Sequence, residues 1–135
     1  MTKQNYKIFE YFQGSNLFYL ADPTEITIKA NGGERWGVKK EFYKKLEPCL
    51  EGHLDGTLNK GVVLPPIRKS DSKCRWGAID VDGEVYNSDE IKIELLQKIE
   101  DLKLPLIPCY SKSKGLHLYI FFIEWTAAKI VRDIL

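Results

Sequence analysis

From Gln4 to Phe12 the apolar positions Ile8, Phe9 and Phe12 follow a helical spacing that Gly14-Ser15-Asn16 brings to an end. Leu17–Leu20 and Ile26–Ala30 then read as short strands on either side of Asp22-Pro23, with Asn31-Gly32-Gly33 as a turn and Trp36-Gly37-Val38 continuing the meander. Phe42–Leu54 returns to a helical pattern, with Pro48 at a helix start or a break. Gly61–Leu64 is a strand closed by Pro65-Pro66, and Arg68–Lys73 is a polar, basic loop.

The second half alternates more regularly. A short apolar run from Cys74 ends on Asp80 and Asp82. From Asn87 the spacing predicts a helix, with Asn87 and Glu90 as a capping-box-like start and Ile91, Leu95, Ile99 and Leu102 on one face; Pro105 ends it. Leu106–Tyr110 and Leu116–Phe122 are strands flanking a Ser/Lys loop. Thr126 is placed to cap a last helix, Ala127–Leu135, whose apolar face is Ile130, Val131 and Ile134. Strand, helix, strand, strand, helix is most of a ferredoxin-like or RRM-like unit without its final strand. The expected class is therefore mixed α/β (α+β): one domain, with an N-terminal α+β subregion at 1–60 and the ferredoxin-like part at 61–135.

Composition adds boundaries rather than direction. The chain has 135 residues, 44% of them apolar and 29% charged, which describes an ordinary soluble domain able to bury a core. No apolar run approaches a membrane span and Met-Thr-Lys-Gln-Asn is no signal peptide, so a cytoplasmic protein with no membrane partner is expected. A net charge of +1 gives no global attraction to nucleic acid, which leaves local basic clusters. Cys49, Cys74 and Cys109 fit neither a disulfide framework nor a zinc site. They read as free thiols, Cys74 and Cys109 buried in strands. Trp36, Trp76 and Trp125 read as core, and His53 as a helix-end residue.

The candidate chemistry begins at Asp80 and Asp82. Side chains alternate along a strand, so both carboxylates leave one face while Ile79 and Val81 leave the other. Hard cations such as Mg²⁺ take one or two protein carboxylates plus substrate phosphates. The competing reading is a plain Asp82-Gly83 turn. A calcium loop is excluded: Val85 and Ile91 stand where its Gly and Glu are needed. Further on, Ser111-Lys112-Ser113-Lys114-Gly115-Leu116-His117 offers backbone N–H groups, hydroxyls and ammonium groups suited to a triphosphate. His117 shares a strand face with Tyr119 and Phe121, opposite Leu116, Leu118 and Ile120. A hydrogen-bonded structural histidine is the bland alternative there.

Gly77-Ala-Ile-Asp-Val-Asp82 followed by Ser113-Lys114-Gly115-Leu116-His117 and an aromatic strand resembles the archaeo-eukaryotic primase (AEP) superfamily. Its first motif is hydrophobic-Asp-hydrophobic-Asp and its second is small-x-His. His53-Leu54-Asp55-Gly56 and Gly61-Val62-Val63-Leu64-Pro65 are similar to the upstream part of primase–polymerase and TOTE conflict-system primase domains. The likeness covers Phe42 to Phe122. It implies an AEP-type fold with a partial RRM-like palm, and metal-dependent nucleotidyl transfer from an NTP or dNTP to a 3′-hydroxyl on a DNA template, single-stranded or primed. Asp80 and Asp82 would hold Mg²⁺ or Mn²⁺, and Ser111, Ser113, Lys114 and His117 would seat the triphosphate. His117 would act as a hydrogen-bond donor rather than as the general base. The family's third motif, an aspartate on a later strand, has no counterpart: only Glu124 and Asp133 follow His117. A helicase partner or a C-terminal extension would then supply that carboxylate. The Lys39-Lys40 and Lys44-Lys45 pairs predict an exposed helix face or, with Arg68, Lys69, Lys73 and Arg75, a template-strand groove. The alternative function is a non-catalytic nucleotide- or nucleic-acid-binding module on the same fold.

Overall fold

Two three-stranded sheets, each with helices and a core of its own, organise the chain into compact units at Met1–Lys73 and Cys74–Leu135. The computed structural model describes residues 10–83, 87–111 and 114–135. Most of the Gln4–Phe12 helix expected from the sequence lies outside these. The class is mixed α+β.

The first unit holds strands β1 (Leu17–Ile28) and β2 (Glu34–Phe42), a 3-10 turn at Tyr43–Lys45, helix α1 (Leu46–Asp55) and strand β3 (Gly61–Val63), in sheet order β2-β1-β3. The two short strands expected around Asp22-Pro23 are one strand whose register with β2 shifts between Asp22 and Ile26. Pro23 has no N–H for a ladder, and it falls beyond the reach of β3, which pairs with Tyr19–Ala21. The Asp22 carboxylate fills the gap locally, accepting from the Thr24 N–H (2.9 Å) and hydroxyl (2.7 Å). Gly32, at φ 82°, turns the chain into β2.

Phe18, Leu46 and Leu50 form this unit's core, where α1 covers one sheet face. Val38, Phe42 and Val63 pair with Ala21, Leu17 and Tyr19 and so share the opposite face, where all three are exposed. The predicted helix over Phe42–Leu54 is shorter, because β2 runs through Phe42. Lys39 and Lys40 accordingly sit on a strand rather than a helix, with side chains on opposite faces. Pro48 lies in the first turn of α1, where a missing N–H costs nothing, and Gly56 (φ 80°) closes the helix. Gly61–Val63 pairs with β1, so this strand, grouped from sequence with 61–135, belongs to the first unit.

The second unit runs β4 (Lys73–Val81), α2 (Asp89–Asp101), β5 (Ile107–Tyr110), β6 (Leu116–Ala127) and α3 (Ala128–Ile134), with sheet order β4-β6-β5. β5 and β6 form an antiparallel hairpin. Arg75 meets Phe122, Gly77 faces Ile120 and Asp80 meets His117, so β4 and β6 also run in opposite directions. β4 and β5 are thus parallel with β6 inserted between them, the split β-α-β arrangement expected of this stretch. Ile99, Leu116 and Leu118 form the core, packed by Ile79, Val81, Ile91, Leu95 and Leu106. Gly77 is required by close approach: a Cβ there would stand 2.9 Å from Val131 and Leu135 side-chain carbons.

Several boundaries move for local reasons. The α2 cap is Ser88, one residue after Asn87; its hydroxyl accepts from the Ile91 N–H at 3.2 Å. The helix ends before Pro105 through paired closing bonds, Leu104 N–H to Ile99 C=O and Lys103 N–H to Glu100 C=O, which place Lys103 at φ 51°. β6 continues past Phe122, so the Thr126 hydroxyl donates to Glu124 C=O instead of capping α3. Pro108 occupies an outer strand, where its missing N–H helps to blunt the edge. No helix among the described residues is long and apolar enough to cross a membrane.

Candidate functional site

Leu116, Leu118 and Ile120 are buried, which turns His117, Tyr119 and Phe121 to the other side of β6. Their rings form a row, with centroids 6.0 Å apart for His117–Tyr119 and 6.3 Å for Tyr119–Phe121; Trp76 of β4 lies 6.1 Å from Tyr119. Cys109 pairs with His117 across the hairpin. On the neighbouring strand Asp80 meets the end of this row: its Oδ1 lies 3.4 Å from His117 Nε2. The other imidazole nitrogen, Nδ1, is 3.2 Å from the Tyr119 hydroxyl. Side-chain exposures of 62% for Asp80 and 38% for His117 leave both open to a ligand.

Asp80 and His117 are thus brought together on adjacent strands of one sheet. Asp82 is placed differently from expectation. β4 ends at Val81, so Asp82 is an exposed residue just past the strand, and strand alternation no longer sets its direction. Gly83 follows at φ 74°, the conformation that a turn after Asp82 needs.

The Ser/Lys loop also needs correction. The Ser111 N–H donates to Gly115 C=O (2.9 Å) and the Lys114 N–H to Ser111 C=O (3.2 Å). Both amides close the hairpin and are not free to cradle phosphate. Lys114 is exposed and held at φ 68°. The Ser111 hydroxyl is buried and finds no hydrogen-bond partner among the described residues. Ser113 and Lys112 lie outside those residues.

Of the cations considered for a template groove, Arg68 is bound to Asp71 at 2.6 Å, and the Arg75 guanidinium donates to the Ile123 carbonyl at 2.9 Å. Lys39 and Lys45 both pair with Glu41, at 3.6 and 3.2 Å. Lys40, Lys44, Lys69 and Lys73 are exposed. Cys74 is buried as expected, and burial pushes its thiol pKa up. Cys109 is exposed, because β5 is an outer strand.

Among the described residues no three of His, Cys, Asp and Glu converge on a point where they could hold a metal ion. Glu124 lies on β6 beyond Phe122, which is level with Arg75, and so at the end of the sheet away from Asp80. Asp133 pairs with Arg132 on α3. The donor set at Asp80 is oxygen with open coordination, the chemistry that Mg²⁺ and Mn²⁺ accept when water and phosphate complete the shell.

Sequence reasoning put Tyr119 on the His117 face but gave it no role; its hydroxyl is the second partner of the imidazole. The two-residue strand period was the available signal. No protein-family model matches the chain, and no curated protein matches it significantly.

Proposed function

We propose that this sheet face is a metal–nucleotide site of the archaeo-eukaryotic primase type, its second unit acting as a partial palm. The observation that carries the reading is the pairing of Asp80 with His117 on adjacent strands of one exposed face. Two stretches far apart in sequence, each resembling one motif of that family, meet on one sheet face, which supports the reading.

Asp80 and Asp82 would hold Mg²⁺ or Mn²⁺. When bound, such an ion neutralises triphosphate charge and lowers the pKa of an attacking hydroxyl. His117 donates a hydrogen bond to a triphosphate oxygen, and the Lys114 ammonium adds a screened charge. Ser113 is the remaining hydroxyl donor expected of the loop, because the Ser111 hydroxyl is buried. The reaction served is nucleotidyl transfer from an NTP or dNTP to a 3′-hydroxyl on single-stranded or primed DNA. Among the described residues no third carboxylate joins Asp80 and Asp82, and one would be needed to fix an ion pair about 3.5–4 Å apart. β4, which carries Asp80, is an outer strand of its sheet, so a strand brought by a helicase-type partner or by further chain would have an edge to join.

A second reading, a nucleotide- or nucleic-acid-binding module without catalysis, is favoured by the lack of three convergent ligands among the described residues. Calorimetry with Mn²⁺-ATP and adenosine tests the common core of both. Asp80→Asn and Asp82→Asn should lose most of the metal-dependent affinity for ATP while remaining folded, and adenosine binding should not change. Unchanged Mn²⁺-ATP affinity in both variants would assign the carboxylates to a turn and remove the site.

A further inference from the structure

The His117 imidazole is held from two sides, by Asp80 Oδ1 at 3.4 Å from Nε2 and by the Tyr119 hydroxyl at 3.2 Å from Nδ1. An ionised carboxylate offers only lone pairs, so a bare ring nitrogen facing it would be repelled. In the neutral imidazole one nitrogen carries hydrogen and the other accepts. The nitrogen facing Asp80 is therefore the one that carries hydrogen. Nδ1 is left as the acceptor, and the Tyr119 hydroxyl can serve it only as a donor. Burial first, and then the neighbouring Cys109 and Asp80, hold the Tyr119 phenol above its ordinary pKa, so it retains the proton it shares. The edge-to-face contact of the two rings, at 89°, keeps the hydroxyl against the ring edge.

We propose that Tyr119 is a positioning residue that fixes His117 as an Nε2–H donor, whose hydrogen faces Asp80 until a cation takes that carboxylate and then serves an oxyanion. A protonated ring nitrogen has no lone pair for a metal, so Asp80 and His117 do not share an ion although they are neighbours. The identity of the oxyanion, a triphosphate oxygen, rests on the reading under Proposed function; the tautomer does not.

The test uses the full chain with ¹⁵N-labelled histidine. It contains two histidines, and His53→Gln assigns the signals. At alkaline pH, where imidazole is neutral, long-range ¹H–¹⁵N correlations should show His117 Nε2 protonated and Nδ1 bare but shifted by an accepted hydrogen bond. Tyr119→Phe keeps the ring that packs against Trp76 and Phe121. It should move the Nδ1 resonance toward that of a free acceptor and weaken Mn²⁺-ATP binding about three- to tenfold, the span of one lost hydrogen bond. Adenosine affinity should stay constant. A proton on Nδ1 in the wild-type chain overturns the proposal, and this measurement needs no variant to fold. An unmoved Nδ1 resonance together with unchanged Mn²⁺-ATP affinity in Tyr119→Phe overturns it as well. If the wild-type nitrogens behave as expected but no ATP binds, the nucleotide reading fails and the Tyr119–His117 assignment stands.

Discussion

Lys114 combines two properties that a pair of substitutions separates. Its backbone lies at φ 68°, where a side chain crowds the following carbonyl, and its ammonium belongs to the loop proposed to meet phosphate. The left-handed conformation costs a non-glycine residue about 1–2 kcal/mol. Glycine removes that cost but makes the unfolded chain more flexible by about 0.4–1 kcal/mol. Lys114→Gly should therefore be more stable than Lys114→Ala by about 0.5–1 kcal/mol, or roughly 2–4 °C in Tm for a chain of this size. Both remove the same charge. Each should lower Mn²⁺-ATP affinity about tenfold, corresponding to a charge-assisted contact of roughly 1.5 kcal/mol, with adenosine unaffected. Urea unfolding at equal protein concentration gives the first quantity and calorimetry the second. If Lys114→Ala proves the more stable, the hairpin does not hold this residue left-handed, and the loop geometry is wrong. If both variants bind Mn²⁺-ATP like the wild type, the ammonium does not meet phosphate.

Three other outcomes are expected. At Gly14 a Cβ would stand 2.3 Å from the Pro65 carbonyl oxygen and 2.6 Å from that of Pro66, both backbone atoms, so Gly14→Ala should cost about 1–3 kcal/mol in urea unfolding, whereas Gly32→Ala, with open space around it, should suffer only from its φ. The Thr24 hydroxyl and N–H, with Lys60, hold the Asp22 carboxyl below its ordinary pKa of 3.8; stability from this group is present above that value and fades as pH falls through the lower folded value, so Asp22→Ala should flatten the acid limb of a stability–pH curve and leave it parallel to wild type near neutrality. In a primer-extension gel the 135-residue chain should show little or no Mn²⁺-dependent synthesis, and robust extension abolished by Asp80→Ala would refute the need for a third carboxylate.

The local parts of this protein are written in its residue order. Alternation from Leu116 to Phe121 specifies which side chains are buried, because a strand has only two faces and the apolar set fills one of them. The stripe Ile91, Leu95, Ile99 likewise specifies α2, although Leu102, counted in that stripe, is left exposed where the helix is already closing. What periodicity does not carry is partnership. Gly61–Val63 reads as a strand in any sheet, and only pairing with Tyr19–Ala21 assigns it to the first unit. Cys109 reads as buried until β5 takes an outer position. The loop amides of Ser111 and Lys114 look available for phosphate until hairpin closure consumes them. Asp80 and His117 show the same division: their types and strand faces follow from the sequence, but their 3.4 Å separation follows from β6 inserting between β4 and β5. Side-chain direction is a one-dimensional property of a strand; which strand lies alongside depends on the burial of α2 and α3 against the whole sheet, and only the tertiary structure decides that.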